Sequence, residues 1–351
     1  MPQPIIHPRR LLLVRNDRVG DLIVTIPAIE AIRQLWPKVE LTVLAGRVAA
    51  PLLQDYPAID NVWVDDPQQS TWQLSRRLRQ GAFDTAIVAH TTWRNLLAVR
   101  LAGITNRVGW GRKLPGKLLA NYRLNISRSR PPVHEADFAL RLVGMLQPTK
   151  MAAEYPVRLQ IDTATQTFVR ARIEQQLGTA GPLFAINPSH FRGAYSWPAE
   201  QFAQLAAELT QFGRVLVTMG PMETAFAEKF RALLPATAKP RVAVITDFDL
   251  RQLAAAFQQT DVITSGNTGP MHLAGALNCP LVALFSAHPA QGPAKWRPLG
   301  SRQTLLQAPL LAGEVAEISA EHADEHMSRI TVAEVVTANL QWLRQSGRAA
   351  A

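Results

Sequence analysis

Short, wholly apolar runs alternate along the chain with longer segments in which apolar residues recur every three or four positions. Leu11–Val14 is the first such run and predicts a buried strand. In Leu22–Leu35 the isoleucines 23, 26, 29 and 32 recur at three-residue steps, predicting a helix that stops at Trp36-Pro37. The same reading predicts strands over Leu41–Leu44, Val62–Val64 and Thr85–Ala89, with helices over Val48–Leu53, Trp72–Leu78 and Trp93–Leu101. From Gly109 to Pro132 the periodicity is lost among glycines, prolines and basic residues, which predicts long loops. His134–Leu146 returns to helix and closes at Gln147-Pro148.

A second series then begins. Strands are predicted over Leu183–Ile186, Val215–Thr218, Val242–Ile245, Val262–Thr264 and Leu281–Phe285. Helices are predicted between them over Ala199–Leu209, Thr224–Leu233, Leu250–Gln258 and Met271–Leu277, and a final helix over Thr331–Leu343. Alternation of this kind demands parallel sheets covered by helices on both faces. Periodicity is weak from Thr149 to Ile161, where Pro156 falls, so the linker is placed there. The expected organisation is two Rossmann-like, doubly wound α/β domains, 1–155 and 156–330, with a terminal helix and tail over 331–351. Such sheets bind ligands beyond the carboxyl ends of their strands, so the domains are expected to face a central cleft holding the site.

Composition supports this picture. A length of 351 residues exceeds the roughly 250–300 at which single cores stop growing. With 47% hydrophobic and 18% charged residues, wholesale disorder is excluded. Cys279 is the lone cysteine, which excludes a disulfide framework and a Cys-rich zinc site and fits a reducing compartment. Only four apolar residues separate Arg10 from Arg15, too few for a signal-peptide core, and no run is long enough to span a membrane. A soluble cytoplasmic protein is expected.

The net charge of +10 is unevenly placed. Residues 1–150 carry 21 Lys and Arg against 11 Asp and Glu, whereas residues 151–351 carry 16 of each. Residues 85–134 contain no carboxylate but nine cations: Arg94, Arg100, Arg107, Arg112, Lys113, Lys117, Arg123, Arg128 and Arg130. One reading is a solvated basic face; the other is a first domain that meets an anionic surface or substrate.

Two loops carry the candidate chemistry, each at the carboxyl end of a predicted strand. Arg15-Asn16-Asp17-Arg18-Val19-Gly20-Asp21 lies between the first strand and first helix. Asp21, read as the first helical residue after Gly20, is either a helix-dipole partner or a base able to take a proton from an attacking hydroxyl. The second loop, Ser265 to His272, opens a helix near Thr268, with Pro270 at its first position. Free amides there suit a diphosphate, although an ordinary helix start is the alternative. Neither GxGxxG nor a P-loop lysine is present.

These segments bear a specific resemblance. Arg15–Leu22 followed by Thr25-Ile26-Pro27-Ala28 resembles the amino-terminal signature of the ADP-heptose:lipopolysaccharide heptosyltransferases. Thr268 to Ala274, then Pro280 and Ala283-Leu284-Phe285, resembles their donor-site signature. Asn187-Pro188-Ser189, Trp197-Pro198, Gly220 with Glu223, Arg107-Val108-Gly109, and Trp296 with Pro298-Leu299-Gly300 follow in the family's order, so the resemblance spans Leu11 to Gly300. It implies a GT-B fold, with the acceptor on the first domain and the nucleotide sugar on the second, and inversion of the anomeric centre without a metal or other cofactor.

By matching positions, the resemblance implies that Asp21 is the general base. Thr268, Gly269, Pro270 and Met271, with His272 and Asn267 nearby, would hold the diphosphate; Glu223 would take the ribose and Ser189 a phosphate. Arg107 would bind the acidic acceptor, alongside Arg15, Arg18, Gly20, Arg112 and Lys113. Two positions depart from the family: Asn267 stands where many members have Asp, and Tyr195 where many have Lys, leaving Arg192 or Lys295 as the cation for the diphosphate. The implied partners are ADP-heptose, an anionic glycolipid and the cytoplasmic face of the membrane; a monomer without a nucleic-acid partner is expected. A different nucleotide sugar, a different acceptor, or an idle polyanion-binding member remain as alternatives.

Other features are expected to be structural. Asp247-Phe248-Asp249 is formally a DxD but precedes a helix and reads as a cap. Asp65-Asp66-Pro67 reads as a turn, His322 and His326 as an exposed polar face, and Cys279 as core.

Overall fold

The structure is a computed structural model that describes residues 6–128, 132–148, 156–188, 195–313 and 323–346. The chain divides into two compact units, residues 1–160 and 161–351.

The first unit runs β1 (Arg10–Arg15), α1 (Val19–Ile23), α2 (Ile26–Leu35), β2 (Glu40–Gly46), β3 (Asn61–Asp65), α3 (Thr71–Gln80), β4 (Thr85–Val88), α4 (Trp93–Leu101), β5 (Asn106–Trp110), α5 (Leu114–Leu119), β6 (Tyr122–Leu124) and α6 (Glu135–Gly144). Its six strands are all parallel, in the order β3-β2-β1-β4-β5-β6. Leu11 to Val14 of β1 are sealed between the helical layers, which is why that strand reads as an unbroken apolar run. The chain winds outward in one direction through β2 and β3 and in the other through β4 to β6. The ends of β1 and β4 therefore flank the point where the winding reverses, the usual ligand position in such sheets.

Two expectations for this unit are corrected. The helix predicted over Leu22–Leu35 is broken after Ile23: α2 restarts at Ile26 with Pro27 in its first turn, and the Thr25 hydroxyl donates to the Asp21 carbonyl at 2.8 Å. The isoleucine spacing runs straight through this break and so cannot reveal it. The region Gly109–Pro132 is not all loop, since it holds the end of β5, all of α5 and β6. Six and three residues are too few for α5 and β6 to display a period. Gly116 lets α5 close onto β5, because a Cβ there would lie 2.0 Å from the Trp110 carbonyl oxygen.

The second unit runs α7 (Thr163–Leu177), β7 (Leu183–Asn187), α8 (Ala199–Leu209), β8 (Arg214–Thr218), α9 (Thr224–Leu233), β9 (Val242–Ile245), α10 (Leu250–Gln258), β10 (Val262–Gly266), α11 (Gly269–Ala276), β11 (Leu281–Phe285), α12 (Pro293–Trp296), β12 (Gln303–Gln307), α13 (Ala323–Met327) and α14 (Val332–Gln345). Its parallel sheet, β9-β8-β7-β10-β11-β12, repeats the strand order of the first. Helix α7 escapes the periodicity because it buries only Val169 and Ile173, and β12 because its residues are only half-buried. Trp197 packs edge-on against Phe202 and donates its indole N–H to the Ile330 carbonyl at 2.8 Å. Helix α14 is part of this unit's core: buried Asn339 donates to Thr264 Oγ1 on β10 at 2.8 Å, and a Thr331–Glu334 capping box fixes its start.

Candidate active site

In the first unit, polar groups collect where β1 and β4 end. Arg15 closes β1 and is almost wholly buried. Its Nη2 pairs with Asp21 Oδ1; its Nε lies 3.2 Å from Asp17 Oδ1, and Glu135 Oε2 of α6 is 3.9 Å away. Helix α1 begins at Val19, so Asp21 is its third residue rather than its first, and its side chain makes no capping bond. The carboxylate is spent on Arg15 instead. Asp21 Oδ2 has no hydrogen-bond partner among the described residues.

Burial, more than any charge, governs Asp21. Desolvation pushes its pKa up to about 6, Arg15 pulls it back, and Asp17 and Glu135 push it further up. A carboxylate that ionises near neutrality is poised to take a proton. Glu135, itself buried, is paired with Arg128, whose guanidinium lies 4.3 Å from the Phe138 ring centroid and 4.9 Å from that of Trp110. Asp17 falls within the motif loop, but Glu135 had no sequence signal beyond being a carboxylate; both enter through proximity to Arg15.

A second network adjoins the first. Asn16 Nδ2 donates to Asp65 Oδ2 at 2.7 Å, and Asn16 Oδ1 lies 2.9 Å from His90 Nδ1. Asn95 exchanges amide bonds with Asn16 and donates to the His90 carbonyl at 2.9 Å. Asp65 is not a turn residue: it closes β3, is buried, and takes both guanidinium nitrogens of Arg94 at 2.9 and 3.0 Å. Sequence reasoning missed His90, Asn95 and Arg94 as parts of this network, because they come from β4 and α4 and meet Asn16 only in the sheet.

The basic stretch divides. Arg107 sits at the amino end of β5, paired in register with Ala86, and its guanidinium donates to the carbonyls of Ile104, Thr105 and Leu119 at 2.7, 3.0 and 2.9 Å. It therefore lies at the amino edge of the sheet, away from the carboxyl ends that Asp21 follows, with its guanidinium bonded within the unit. Arg94 and Arg128 are also internally paired, and Arg130 lies outside the described residues. The cations exposed to solvent are Arg100, Arg112, Lys113, Lys117 and Arg123. Arg112 and Lys113 follow the carboxyl end of β5; Arg18, at the N-cap of α1, is exposed, and Gly20 is buried within α1.

In the second unit the corresponding strand ends are those of β7 and β10. Asn187 closes β7 and ties it to β8 by donating to the Thr218 carbonyl at 2.8 Å. Ser189 and Arg192 lie outside the described residues. After β10, Asn267 donates its amide to the Gln291 carbonyl at 2.9 Å. Thr268 is the N-cap of α11 without a capping side-chain bond, and Pro270 is the helix's second residue rather than its first. First-turn amides of a helix have no acceptor within it, so this start faces an anion well. Met271 and His272 are buried beneath it, His272 edge-on to Trp296 at 5.9 Å. Lys295 Nζ lies 5.4 Å from the same indole. Glu223, just beyond β8, accepts the Gly220 N–H at 2.6 Å. Tyr195 stacks on His288 with ring centroids 5.4 Å apart.

The DxD residues are engaged structurally. Asp249 caps α10 in a capping box with Gln252, and Asp247 pairs with Arg172 at 2.7 Å. His326 is not on an exposed face: it is buried and its Nε2 accepts the Ala287 N–H at 3.2 Å, while His322 lies outside the described residues. Cys279 is buried, its thiol pushed up to about 12 by desolvation.

Two six-stranded parallel sheets of identical order, each gathering its polar loops where the winding reverses, define a GT-B fold. The architecture matches Escherichia coli ADP-heptose lps heptosyltransferase II with a TM-score of 0.81 at 20% identity, covering 96% of this chain and 99% of that one. The chain belongs to glycosyltransferase family 9 (heptosyltransferase), whose sequence pattern matches residues 71–321. It is 25% identical over 339 residues to lipooligosaccharide heptosyltransferase 2 of Haemophilus ducreyi, covering 92% of this chain and 95% of that protein. E. coli heptosyltransferase WaaC, solved with ADP, aligns with a TM-score of 0.68 at 18% identity over 96% of this chain and 99% of its own.

Proposed function

We propose that this glycosyltransferase moves heptose from ADP-heptose to the inner core of lipopolysaccharide, with inversion and without a metal. The observation that carries the reading is the buried Asp21–Arg15 pair at the end of β1, with Asp21 ionising near neutrality. Asp21 takes the acceptor hydroxyl proton on Oδ2 while Arg15 holds Oδ1. The hydroxyl oxygen bonds the anomeric carbon from the face opposite the diphosphate, and the bond from that carbon to the diphosphate oxygen breaks. Negative charge then grows on ADP, where the amides at the start of α11 oppose it and Lys295 is, of the two candidate cations, the one among the described residues. Ser189, Arg192, Glu223 and Asn267 complete the donor side. Arg18, Gly20, Arg112 and Lys113 serve the acceptor side.

Support for the donor and acceptor comes from the relatives, one named for ADP-heptose and one for lipooligosaccharide. Membrane contact has its own support: α5 exposes Leu114 and Leu118, each 58% accessible, between the exposed Arg112, Lys113 and Lys117. Apolar side chains ringed by cations suit an anionic lipid surface at the cytoplasmic face. A different nucleotide sugar is the second reading, favoured by Asn267 and Tyr195, which bring neither a negative nor a positive charge to the donor side. Turnover of ADP-heptose and UDP-sugars on a heptose-deficient lipopolysaccharide tests both. Transfer from ADP-heptose alone supports the proposal, and transfer only from another donor replaces it.

A further inference from the structure

His90 stands at the end of β4, next to the strand that delivers Asp21, and no role has been assigned to it. Its environment fixes its chemical state. Asn16 Nδ2 lies 2.7 Å from Asp65 Oδ2, an oxygen that only accepts, and 3.0 Å from Asn95 Oδ1. The Asn16 amide must therefore be oriented with Oδ1 toward His90 and toward Asn95 Nδ2, which donates to it at 2.8 Å. Since Asn16 Oδ1 can only accept, His90 Nδ1 carries the proton across their 2.9 Å contact.

The ring is also held neutral. Burial pushes its pKa down, reinforced by Arg15 and Lys113 and opposed by Asp17 and Asp65. A neutral imidazole protonated on Nδ1 leaves a bare lone pair on Nε2. That atom makes no hydrogen bond among the described residues, and His90 is partly exposed. Three strand ends and α4 thus contribute to a network whose result is one hydrogen-bond acceptor with a defined direction. An apolar side chain at this position would fill the space but would present no acceptor outward.

We infer that His90 is an acceptor-binding residue whose Nε2 receives a hydrogen bond from a hydroxyl of the sugar to be glycosylated. The inference rests on the proposal that the first unit takes the acceptor. It assigns Asp21 to the proton that moves and His90 to holding the sugar that carries it, so His90 is a positioning and recognition group, with no proton transferred to it in the reaction.

Two measurements test this. Long-range proton–nitrogen spectra of 15N-histidine-labelled enzyme, assigned with His90→Gln, should show Nε2 unprotonated and Nδ1 protonated near pH 7.5. The Nε2 resonance should move when heptose-deficient lipopolysaccharide is added in detergent. In kinetics, His90→Asn keeps a donor for Asn16 but removes the outward acceptor. It should raise KM for that lipopolysaccharide by about threefold to tenfold, the worth of one neutral hydrogen bond, with donor KM and melting temperature unchanged. His90→Gln, whose amide reaches further out, should recover part of the loss. An Nε2–H tautomer, or wild-type acceptor KM in His90→Asn, overturns the inference. A wild-type enzyme that neither binds nor glycosylates this acceptor overturns the proposed function and the acceptor role together. The tautomer measurement then shows whether the network itself was read correctly.

Discussion

Replacing Asp21 by Asn separates a catalytic carboxylate from a structural one. Asp21→Asn keeps the size of the side chain and removes the charge and the proton-accepting oxygen. As a general base Asp21 should contribute roughly 10²- to 10⁴-fold to kcat. The structure also predicts a stability effect of the opposite sign. Because the folded-state pKa is raised from 3.8 to about 6, the folded protein resists ionisation of Asp21. The stability this group confers in its protonated form is present below about pH 4 and is lost as pH rises toward 6. That difference amounts to roughly 3 kcal/mol at most, and Asn avoids it. The attraction of Arg15 is already contained in that pKa, and Arg15 keeps Asp17 at 3.2 Å in the variant.

Asp21→Asn should therefore melt at or above wild type at pH 7.5 and close to it at pH 5, where wild-type Asp21 is itself largely protonated. Wild-type kcat should rise with pH through about 6, and the residual activity of Asp21→Asn should lack that rise. The assays are ADP release against pH, ADP affinity by calorimetry, and melting curves at the two pH values. Activity within a few-fold of wild type would reduce Asp21 to a structural partner of Arg15. A variant that is inactive because it is unfolded at pH 7.5 would refute the sign of this stability effect.

Arg107→Ala should lower the melting temperature, because about 2 kcal/mol of bonding to the carbonyls of Ile104, Thr105 and Leu119 is lost, while acceptor KM stays unchanged; a selective rise in acceptor KM would return Arg107 to the binding site. Activity should survive EDTA, and Asp247→Ala should cost only the pairing of this exposed carboxylate with half-buried Arg172; loss on chelation with recovery by magnesium or manganese would refute metal independence. Leu114→Ser with Leu118→Ser, and separately Lys113→Ala with Lys117→Ala, should each reduce sedimentation with anionic vesicles, the lysine pair contributing about 1 kcal/mol per charge and fading with salt. Unchanged sedimentation in both would leave α5 an ordinary surface helix.

The sequence by itself determined the layout of both units, for a physical reason. Strands sealed on both faces must be apolar throughout, so Leu11–Val14 and Leu281–Phe285 announce themselves, and helices such as α8 and α10 show one buried face. It also placed both motif loops at strand ends. Short or thinly buried elements escaped: α5 and β6 are too brief to show a period, and α7 buries two residues out of fifteen. Tertiary structure alone decided what the site residues do. Asp21 owes its raised pKa first to burial, against the pull of Arg15, with Asp17 and then Glu135, 114 positions away along the chain, adding to it; His90 owes its tautomer to Asn16, 74 positions away, and Asn16 its orientation to Asp65, 49 away. Arg107 looked like part of a basic site until the parallel register put it at the amino edge of the sheet. Hydrophobic period is a local property that survives in one dimension. Charge state and hydrogen-bond direction are set by desolvation and by neighbours that only the strand order β2-β1-β4 brings together.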